Sequence, residues 1–166
     1  VNLPVPVIAR VNGIATAAGC QLVATCDLAV AVDTASFAVS GINLGLFCST
    51  PAVALSRNIS RKRSFEMLFT GKFIDSNTAV DWGLINKAVP AEELDAAIAE
   101  LTDSICAKSR VPVQFGKQMF YQQLGMELAE AYDFAGEIMA CNMMSEDAVE
   151  GIDSFIERRK PSWKGC

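Results

Sequence analysis

The chain has 166 residues, 51% of them hydrophobic and 20% charged, so it is long and apolar enough to bury one substantial core. Its formal net charge of −5 argues against general binding to nucleic acids, which needs clustered cations, and no apolar run approaches the length of a membrane span. Because the chain contains no His, it lacks the commonest general base and the commonest zinc ligand, and we expect no metal site.

The first half of the chain alternates predicted strands and helices. Short apolar runs closed by turn residues predict buried strands at 5–11, 28–32, 36–39 and 84–89. A short helix is predicted at 18–26. Polar starts and glycine stops predict helices at 60–70 and 75–82, and a further helix is predicted that Ser49 or Thr50 caps with Pro51 at its first position. The strand–helix–strand succession predicts parallel pairing of the strands.

The second half is predicted to be helical throughout. Apolar residues spaced three or four apart predict helices at 92–108, 112–124 and 126–144, and a last helix that Ser145 caps and Pro161 ends. We therefore divide the chain into an α/β part, 1–90, and a helical part, 91–166.

The six cysteines lie among apolar residues, and no two of them are spaced as Cys-x-x-Cys. This pattern predicts reduced core thiols of an intracellular protein rather than redox or metal ligands. The six are Cys20, Cys26, Cys48, Cys106, Cys141 and Cys166.

Small residues dominate the segment 12–32, in which a turn leads through Ala17, Ala18 and Gly19 into a helix start. Backbone N–H groups at such a start can approach a negative oxygen closely, with the positive end of the helix dipole behind them. The segment therefore predicts a site for a phosphate or a developing oxyanion; the alternative is that the small residues serve tight packing of a helix on a strand. Asp27, between helix and strand, is expected to make a structural hydrogen bond.

Several segments together resemble the crotonase family, the enoyl-CoA hydratases and isomerases. These segments cover nearly the whole chain in the family's order. Two further segments, GLFCSTP at 45–51 and SRKRSFEMLFTG at 60–71, narrow the resemblance to one member of the family. The segments that carry the resemblance are Asn12-Gly13, Ala18-Gly19-Cys20, Cys26-Asp27, Leu28–Ala31, Leu44-Gly45, LFTG at 68–71, AVDWGLINKAV at 79–89 and SEDAVEGIDSFIERRKPSWK at 145–164.

This resemblance implies an α/β fold, a spiral of strand–strand–helix turns, followed by a C-terminal helical region that packs subunits into homotrimers or hexamers. It implies an acyl-CoA thioester as substrate or ligand, fatty-acid metabolism, and no cofactor apart from the coenzyme A of the substrate. A mitochondrial location is favoured over a cytosolic one. Family members are longer at the N-terminus, so the chain looks like the C-terminal two-thirds of a crotonase.

The resemblance also assigns catalytic positions. The backbone N–H of Ala18 corresponds to an oxyanion-hole donor that holds the thioester carbonyl as it becomes an enolate. In hydratases, the two catalytic glutamates fall at the positions of Gln21 and Gly41, and in one isomerase group the acid falls near Ser49. None of the three is a carboxylate here, so two hypotheses stay open: a hydratase- or isomerase-like enzyme, and a non-catalytic acyl-CoA-binding or regulatory oligomer.

The remaining candidates are expected to bind the substrate: Ala17, Gly19, Asn43, Cys48 and Lys164. Gln21 either points into a pocket or is an ordinary polar residue on a helix surface, and Ser49 either lines the pocket or caps a helix. Two basic clusters are candidates for coenzyme A phosphates, with a solvated surface as the alternative for each. They are Arg57, Arg61, Lys62 and Arg63, and Arg158, Arg159, Lys160 and Lys164.

Overall fold

The computed structural model describes all residues from Val1 to Cys166. Backbone contacts divide the chain into two compact units. We call residues 7–101 the core unit, and residues 1–6 together with 102–166 the helical unit. The division expected from the sequence lies after residue 90. Leu94 and Ala97 lie beyond that position, yet their side chains are buried in the hydrophobic core of the core unit.

The core unit contains six short strands that form two sheets of three. In the first sheet the order is β1-β3-β6, and all pairs are parallel. In the second the order is β2-β4-β5, with β2 and β4 parallel and β5 antiparallel to β4. The strands are β1 (Ile8–Val11), β2 (Ile14–Thr16), β3 (Leu28–Val32), β4 (Ser36–Ala38), β5 (Ile74–Asp75) and β6 (Lys87–Val89).

The predicted parallel pairing is confirmed, and β3 has the predicted bounds. Its residues from Ala29 to Val32 are at most 4% exposed, as expected for a central strand covered on both faces. Asp27, just before β3, accepts a hydrogen bond from the N–H of Val7 at 2.6 Å, so its predicted structural role is confirmed. The strands β2 and β5 were not predicted, because three and two residues are too few to show an alternating pattern.

Eight α-helices follow the predicted order. Two 3₁₀ turns, Ser40–Leu44 and Ala91–Glu93, lie between them. The helices are α1 (Ala18–Thr25), α2 (Ser49–Asn58), α3 (Arg61–Thr70), α4 (Ser76–Trp82), α5 (Leu94–Cys106), α6 (Arg110–Gln123), α7 (Leu128–Met143) and α8 (Glu146–Glu157).

Most predicted helix boundaries are confirmed by the residues that flank the helices. Gly71 and Gly83 end α3 and α4 in the left-handed conformation, at φ 62° and 79°. The Asp75 carboxylate accepts the N–H of Thr78 at the start of α4, which lowers the pKa of Asp75. Ser145 accepts the N–H of Ala148 at the start of α8, as predicted.

Three boundary predictions were wrong. Cys48, not Ser49 or Thr50, is the N-cap of α2, and Pro51 is its third residue. The helix α6 begins at Arg110, before Pro112, because the Ser109 hydroxyl accepts the N–H of Val111 and caps it. At the other end of the chain, α8 stops before Pro161 because Arg158 adopts the left-handed conformation, at φ 56°.

The hydrophobic core of the core unit lies between its sheets and helices. Phe37, Leu55, Met67 and Leu94 are its largest fully buried side chains. Of the six cysteines only Cys20 is buried, whereas Cys106, Cys141 and Cys166 are exposed, so the prediction of core thiols was wrong for these three. They lie in the helical unit, where helices expose much of their surface.

The helices of the helical unit leave large apolar side chains in solvent. Phe155 and Ile156 at the end of α8 are 84% and 71% exposed, and Leu128 and Tyr132 on α7 are each 74% exposed. Exposed apolar area of this extent is typical of surfaces that meet another protein. None of the helices combines the length and the apolar character that crossing a membrane requires.

Candidate functional site

The start of α1 depends on an unusual backbone conformation at Ala17. Its φ of 49° and ψ of −115° are values that glycine adopts far more readily than alanine. The N–H of Ala17 donates to the carbonyl of Ala38 at 3.0 Å, and the Ala17 carbonyl accepts the first helical hydrogen bond from Gln21, also at 3.0 Å. Two hydrogen bonds therefore hold Ala17 in a strained conformation, which is common at functional sites.

This turn leaves the N–H groups of Ala18 and Gly19 without an acceptor in the protein. Both residues precede the first intrahelical hydrogen bond, and both are exposed. A Cβ built on Gly19 meets no atom within 4 Å, so the space beside the α-carbon of Gly19 is open. The two N–H groups are thus available to a negative oxygen, and the binding of one by Ala17, Ala18 and Gly19 stays a prediction.

Gln21 is half-buried on the first turn of α1. Its backbone carbonyl accepts the Thr25 hydroxyl at 2.7 Å, whereas no protein group hydrogen-bonds to its side-chain amide. Cys20, one residue before it, is fully buried, and burial together with the neighbouring Cys48 raises the pKa of Cys20 to about 12. Cys20 is therefore a neutral core thiol at neutral pH and does not act as a base or nucleophile.

The 3₁₀ turn places Gly41 in a crowded position. A Cβ added at Gly41 would lie 2.7 Å from Sγ of Cys48 and 2.9 Å from the carbonyl oxygen of Leu46. The Leu46 N–H donates to the Gly41 carbonyl at 3.0 Å, and Gly45 turns the chain at φ 76°. This loop conformation therefore accepts glycine at 41 and excludes a longer side chain unless Cys48 and Leu46 move.

Two other predicted residues of this loop have structural contacts. The Asn43 amide donates to the Gly71 carbonyl at 3.4 Å, and the absence of a side chain at Gly71 gives Asn43 its space. The Ser49 hydroxyl donates to the Phe47 carbonyl at 3.3 Å. Since Ser49 is inside α2 and makes no cap, the capping alternative for Ser49 was wrong, and its lining of a pocket stays a prediction.

An aromatic cluster beside this loop was missed by the sequence reasoning. Phe65 and Phe69 on α3 stack with ring centroids 4.9 Å apart, and Phe47 lies 5.4 Å from Phe69. All three side chains are about half exposed, between 45% and 56%. The four-residue spacing of Phe65 and Phe69 was the available signal, because it places both on one helix face.

The first basic cluster, on α2 and α3, is partly engaged. The Arg63 guanidinium lies 4.6 Å from the ring centre of Trp82, and Arg57 donates to the Val53 carbonyl of its own helix at 3.1 Å. Arg61 and Lys62 are exposed at the start of α3. The cluster is therefore divided between structural contacts and solvated cations.

The second basic cluster lies at the end of the chain, where residues 159–166 fold back along α8. We call this segment the strap. Arg159 forms a two-point ion pair with Glu150, at 2.6 and 2.8 Å, which lowers the pKa of Glu150 to about 2. Lys164 Nζ lies 3.0 Å from a Glu146 oxygen, and this pair raises the pKa of Lys164.

Asp147 connects the strap to α8 and was not singled out by the sequence reasoning. Its carboxylate accepts the hydroxyl of Ser109 at 2.5 Å and the backbone N–H groups of Lys164 and Gly165 at 2.7 and 2.9 Å. These hydrogen bonds, that of Ser109 first, lower the pKa of Asp147 although the residue is only 2% exposed. An acid in the first turn of a helix is so common at the surface that the sequence carries no signal for this role.

A cavity of about 450 Å³ lies beside Asp147 in the helical unit. Its mostly apolar wall includes Pro112, Val113 and the indole of Trp163, and the Trp163 N–H donates to the Ala107 carbonyl at 2.9 Å. No group of three or more acidic or Cys side chains is arranged to hold a metal ion.

Comparisons with known proteins agree with this arrangement. The sequence profile of the family described as enoyl-CoA hydratase/isomerase matches residues 1–166. The mouse protein named enoyl-CoA hydratase domain-containing protein 3, mitochondrial, is 53% identical over 162 residues, which are 98% of this chain and 54% of that protein. The chain thus spans about half the length of the curated relatives it matches.

Two crystal structures extend the match to three dimensions. An enoyl-CoA hydratase from Mycobacterium smegmatis superposes with a TM-score of 0.96 and 57% identity, covering 97% of this chain and 63% of that one. Human enoyl-CoA hydratase domain-containing protein 3 gives a TM-score of 0.95 and 51% identity, covering 98% of this chain and 64% of that one. The predicted fold class is confirmed, as is the resemblance, including its narrowing by segments 45–51 and 60–71.

Proposed function

The chain belongs to the enoyl-CoA hydratase/isomerase family, and we propose that it binds an acyl-CoA thioester and stabilises the thioester enolate in an oxyanion hole. The observation that carries the proposal is the pair of unpaired N–H groups, those of Ala18 and Gly19, at the start of α1. Preorganised N–H donors stabilise a developing oxyanion without reorganising, and the helix dipole adds to their effect. The strain at Ala17 supports the same proposal, because strained backbone conformations are common at functional sites.

Proton transfer is the step for which this chain supplies no evident group. The Gln21 amide can orient a water or a substrate oxygen but cannot take up a proton at neutral pH. Gly41 has no functional group, and Cys20 stays protonated because its pKa is about 12. A reaction at this site therefore needs an acid or base from the rest of the protein or from another subunit.

A second candidate function is acyl-CoA binding without turnover, in a regulatory oligomer. The observation that favours it is the crowding at Gly41, where Cys48 and Leu46 occupy the space that a glutamate side chain would need. A loop shaped in this way fits a protein that keeps the thioester site and does without the two-glutamate chemistry.

Replacing one atom tests the oxyanion donor in the full-length protein. Exchanging Ala18 for its hydroxy-acid analogue, lactic acid, converts the N–H into an ester oxygen and keeps the side chain. Turnover of a short 2-enoyl-CoA, followed by loss of the conjugated thioester absorbance, should fall by about 10²–10³. The control is the same exchange at Ala131 in α7, whose N–H donates to the Glu127 carbonyl and serves only the helix.

The outcomes separate the two candidates. Turnover that is lost at Ala18 and kept at Ala131 supports the enzyme. Tight acyl-CoA binding without turnover, weakened by the exchange at Ala18, supports the binding protein. If no coenzyme A thioester binds, both candidates are wrong.

We also propose a homotrimeric or hexameric assembly in mitochondria, a role in fatty-acid metabolism, and no cofactor besides the coenzyme A of the substrate. The exposed apolar side chains of α7 and α8 support an assembly, since a monomer would leave them in water. The location is supported by five relatives named mitochondrial. Sedimentation of the full-length protein and localisation of a tagged copy test the two proposals.

A further inference from the structure

The helix α7 exposes an apolar face along its whole length. At about 100° of rotation per residue, four large and three small side chains lie within about 120° of arc, and all seven are exposed. The face runs for about 22 Å along the helix. We call it the α7 face: Leu128, Tyr132, Met139 and Met143 form a ridge, and Ala129, Gly136 and Ala140 form a shallow groove beside the ridge.

Gly136 lies in the interior of α7, where the fold of the chain itself does not require a glycine. Its φ is not positive, and a Cβ built on it meets no atom within 4 Å. Glycine weakens the interior of a helix, because its backbone loses more freedom on folding than that of any other residue. What glycine provides at this exposed position, one turn before Ala140, is room for another backbone to approach α7 closely.

Acidic side chains border the α7 face on the side of its groove. Glu130, Asp133 and Glu137 come next around the helix, and all three are exposed and form no ion pair. Between Lys117 and Arg158 the chain has nine acids and no base, so no cation of this segment neutralises the border. Two copies of the face would therefore bring carboxylates together, and an anionic lipid surface would be repelled. The border instead matches a partner that carries Lys and Arg.

We propose that the α7 face binds a basic amphipathic helix of a partner protein. The apolar side chains of that helix lie in the groove, and its Lys and Arg side chains meet Asp133 and Glu137 at the border. The two methionines of the ridge are flexible and adapt to partner side chains of different shape. A face of about 22 Å accommodates about 15 residues of a helix.

This inference goes beyond the proposed function and does not depend on the thioester site. The exposed apolar side chains at the end of α8, Phe155 and Ile156, lie outside the α7 face and remain for the proposed assembly.

Binding of two matched peptides to the full-length protein tests the inference. The first is a fluorescently labelled amphipathic helix of Leu, Ala and Lys, about five turns long, and the second has Glu in place of every Lys. Fluorescence anisotropy measures the affinity of each peptide. The lysine peptide should bind, with an affinity that falls as salt is added, because salt screens exposed ion pairs. The glutamate peptide should not bind.

Gly136→Leu fills the groove while keeping α7 folded, because the new side chain starts in open space and leucine is the better helix former. It should weaken binding of the lysine peptide at least about tenfold, since the partner helix no longer fits against α7. Gly116→Leu is the matched control, because Gly116 is also an exposed interior glycine of a helix, α6, with open space around it. The control should leave the affinity unchanged.

The acidic border is tested separately. Asp133→Asn and Glu137→Gln should each weaken binding of the lysine peptide about threefold at low salt, the size of one exposed ion pair, and should have no effect at high salt. Asp103→Asn removes an exposed acid of α5 that has no ion pair and should not change the affinity.

Three outcomes would overturn the inference. The first is failure of the lysine peptide to bind, or equal binding of both peptides. The second is equal affinity of the Gly136→Leu and Gly116→Leu variants for the lysine peptide. The third concerns another occupant and is detected by oxidative footprinting of Tyr132 and Met139. If both side chains are already protected in the full-length protein without peptide, a second copy or another part of the protein covers the α7 face. Protection that appears only with the lysine peptide supports the inference.

Discussion

Gly41→Ala tests whether the loop around Gly41 has the crowded conformation on which the second candidate function depends. The added Cβ would lie 2.7 Å from Sγ of Cys48 and 2.9 Å from the carbonyl oxygen of Leu46. Since favourable contacts between heavy atoms lie at about 3.5–4.0 Å, the neighbours must retreat by about 1 Å. One of them is backbone, which the Leu46–Gly41 hydrogen bond holds in place.

Overpacking of this kind costs about 1–3 kcal/mol, so we expect Gly41→Ala to lower the free energy of unfolding by that amount. Urea denaturation of the full-length protein, followed by circular dichroism, measures the change. Gly19→Ala is the matched control, because the added Cβ meets no atom within 4 Å and alanine is the better helix former. That control should be neutral or stabilising.

The contribution of Cys48 can be separated by a second substitution. Cys48→Ala removes the Sγ atom, so the cost of Gly41→Ala should be smaller in that background, while the contact with the Leu46 carbonyl remains. The loop around Gly41 is not crowded if Gly41→Ala is as stable as the unaltered protein, or if the cost of Gly41→Ala is the same with and without Sγ of Cys48.

Ala17→Gly should stabilise the protein by about 1 kcal/mol in urea denaturation, because it relieves the positive φ, whereas Ala17→Val should destabilise it; equal stabilities would contradict the strain. The pKa values of Asp147 and Glu150 are lowered in the folded chain, so their stabilising effect is complete above the usual carboxyl range. It is lost as the pH falls through the folded pKa values, about 2 for Glu150. The protection factors of the strap amides, which correct for the intrinsic pH dependence of hydrogen exchange, should therefore fall between pH 6 and pH 2, and unchanged protection factors would contradict this. Cys20 should react with an aromatic disulfide reagent only after unfolding, since it is fully buried with a pKa of about 12, whereas Cys166 should react in the native protein.

The elements that the sequence predicts well are those whose signal is local. The strand β3 is a continuous apolar run with a polar residue before it, and its bounds are as predicted. Gly71 and Gly83 end their helices because only a residue without a side chain reaches the left-handed conformation cheaply. In both cases, the cause lies within a few residues of the element itself.

The boundaries that failed depend on contacts with distant residues. The helix α6 begins before Pro112 because Ser109 is held by Asp147, which lies 38 positions further along the chain. Ser49 lies inside α2 rather than capping it, because the helix begins one residue earlier than predicted, with Cys48 at the N-cap. In the sequence, a Ser two or three residues before a Pro looks the same whether or not a distant residue such as Asp147 holds it.

By itself, the sequence determined the order of the elements, the parallel pairing, the family and the absence of carboxylates at positions 21 and 41, because these follow from local pattern and residue identity. Only the tertiary structure decided that Ala17 is strained, that Cys48 and Leu46 close the space beside Gly41, and that Asp147 holds the strap. The physical reason is the same in each case. Strain, crowding and the burial of a charge are properties of atoms brought together from different parts of the chain, and no single segment contains them.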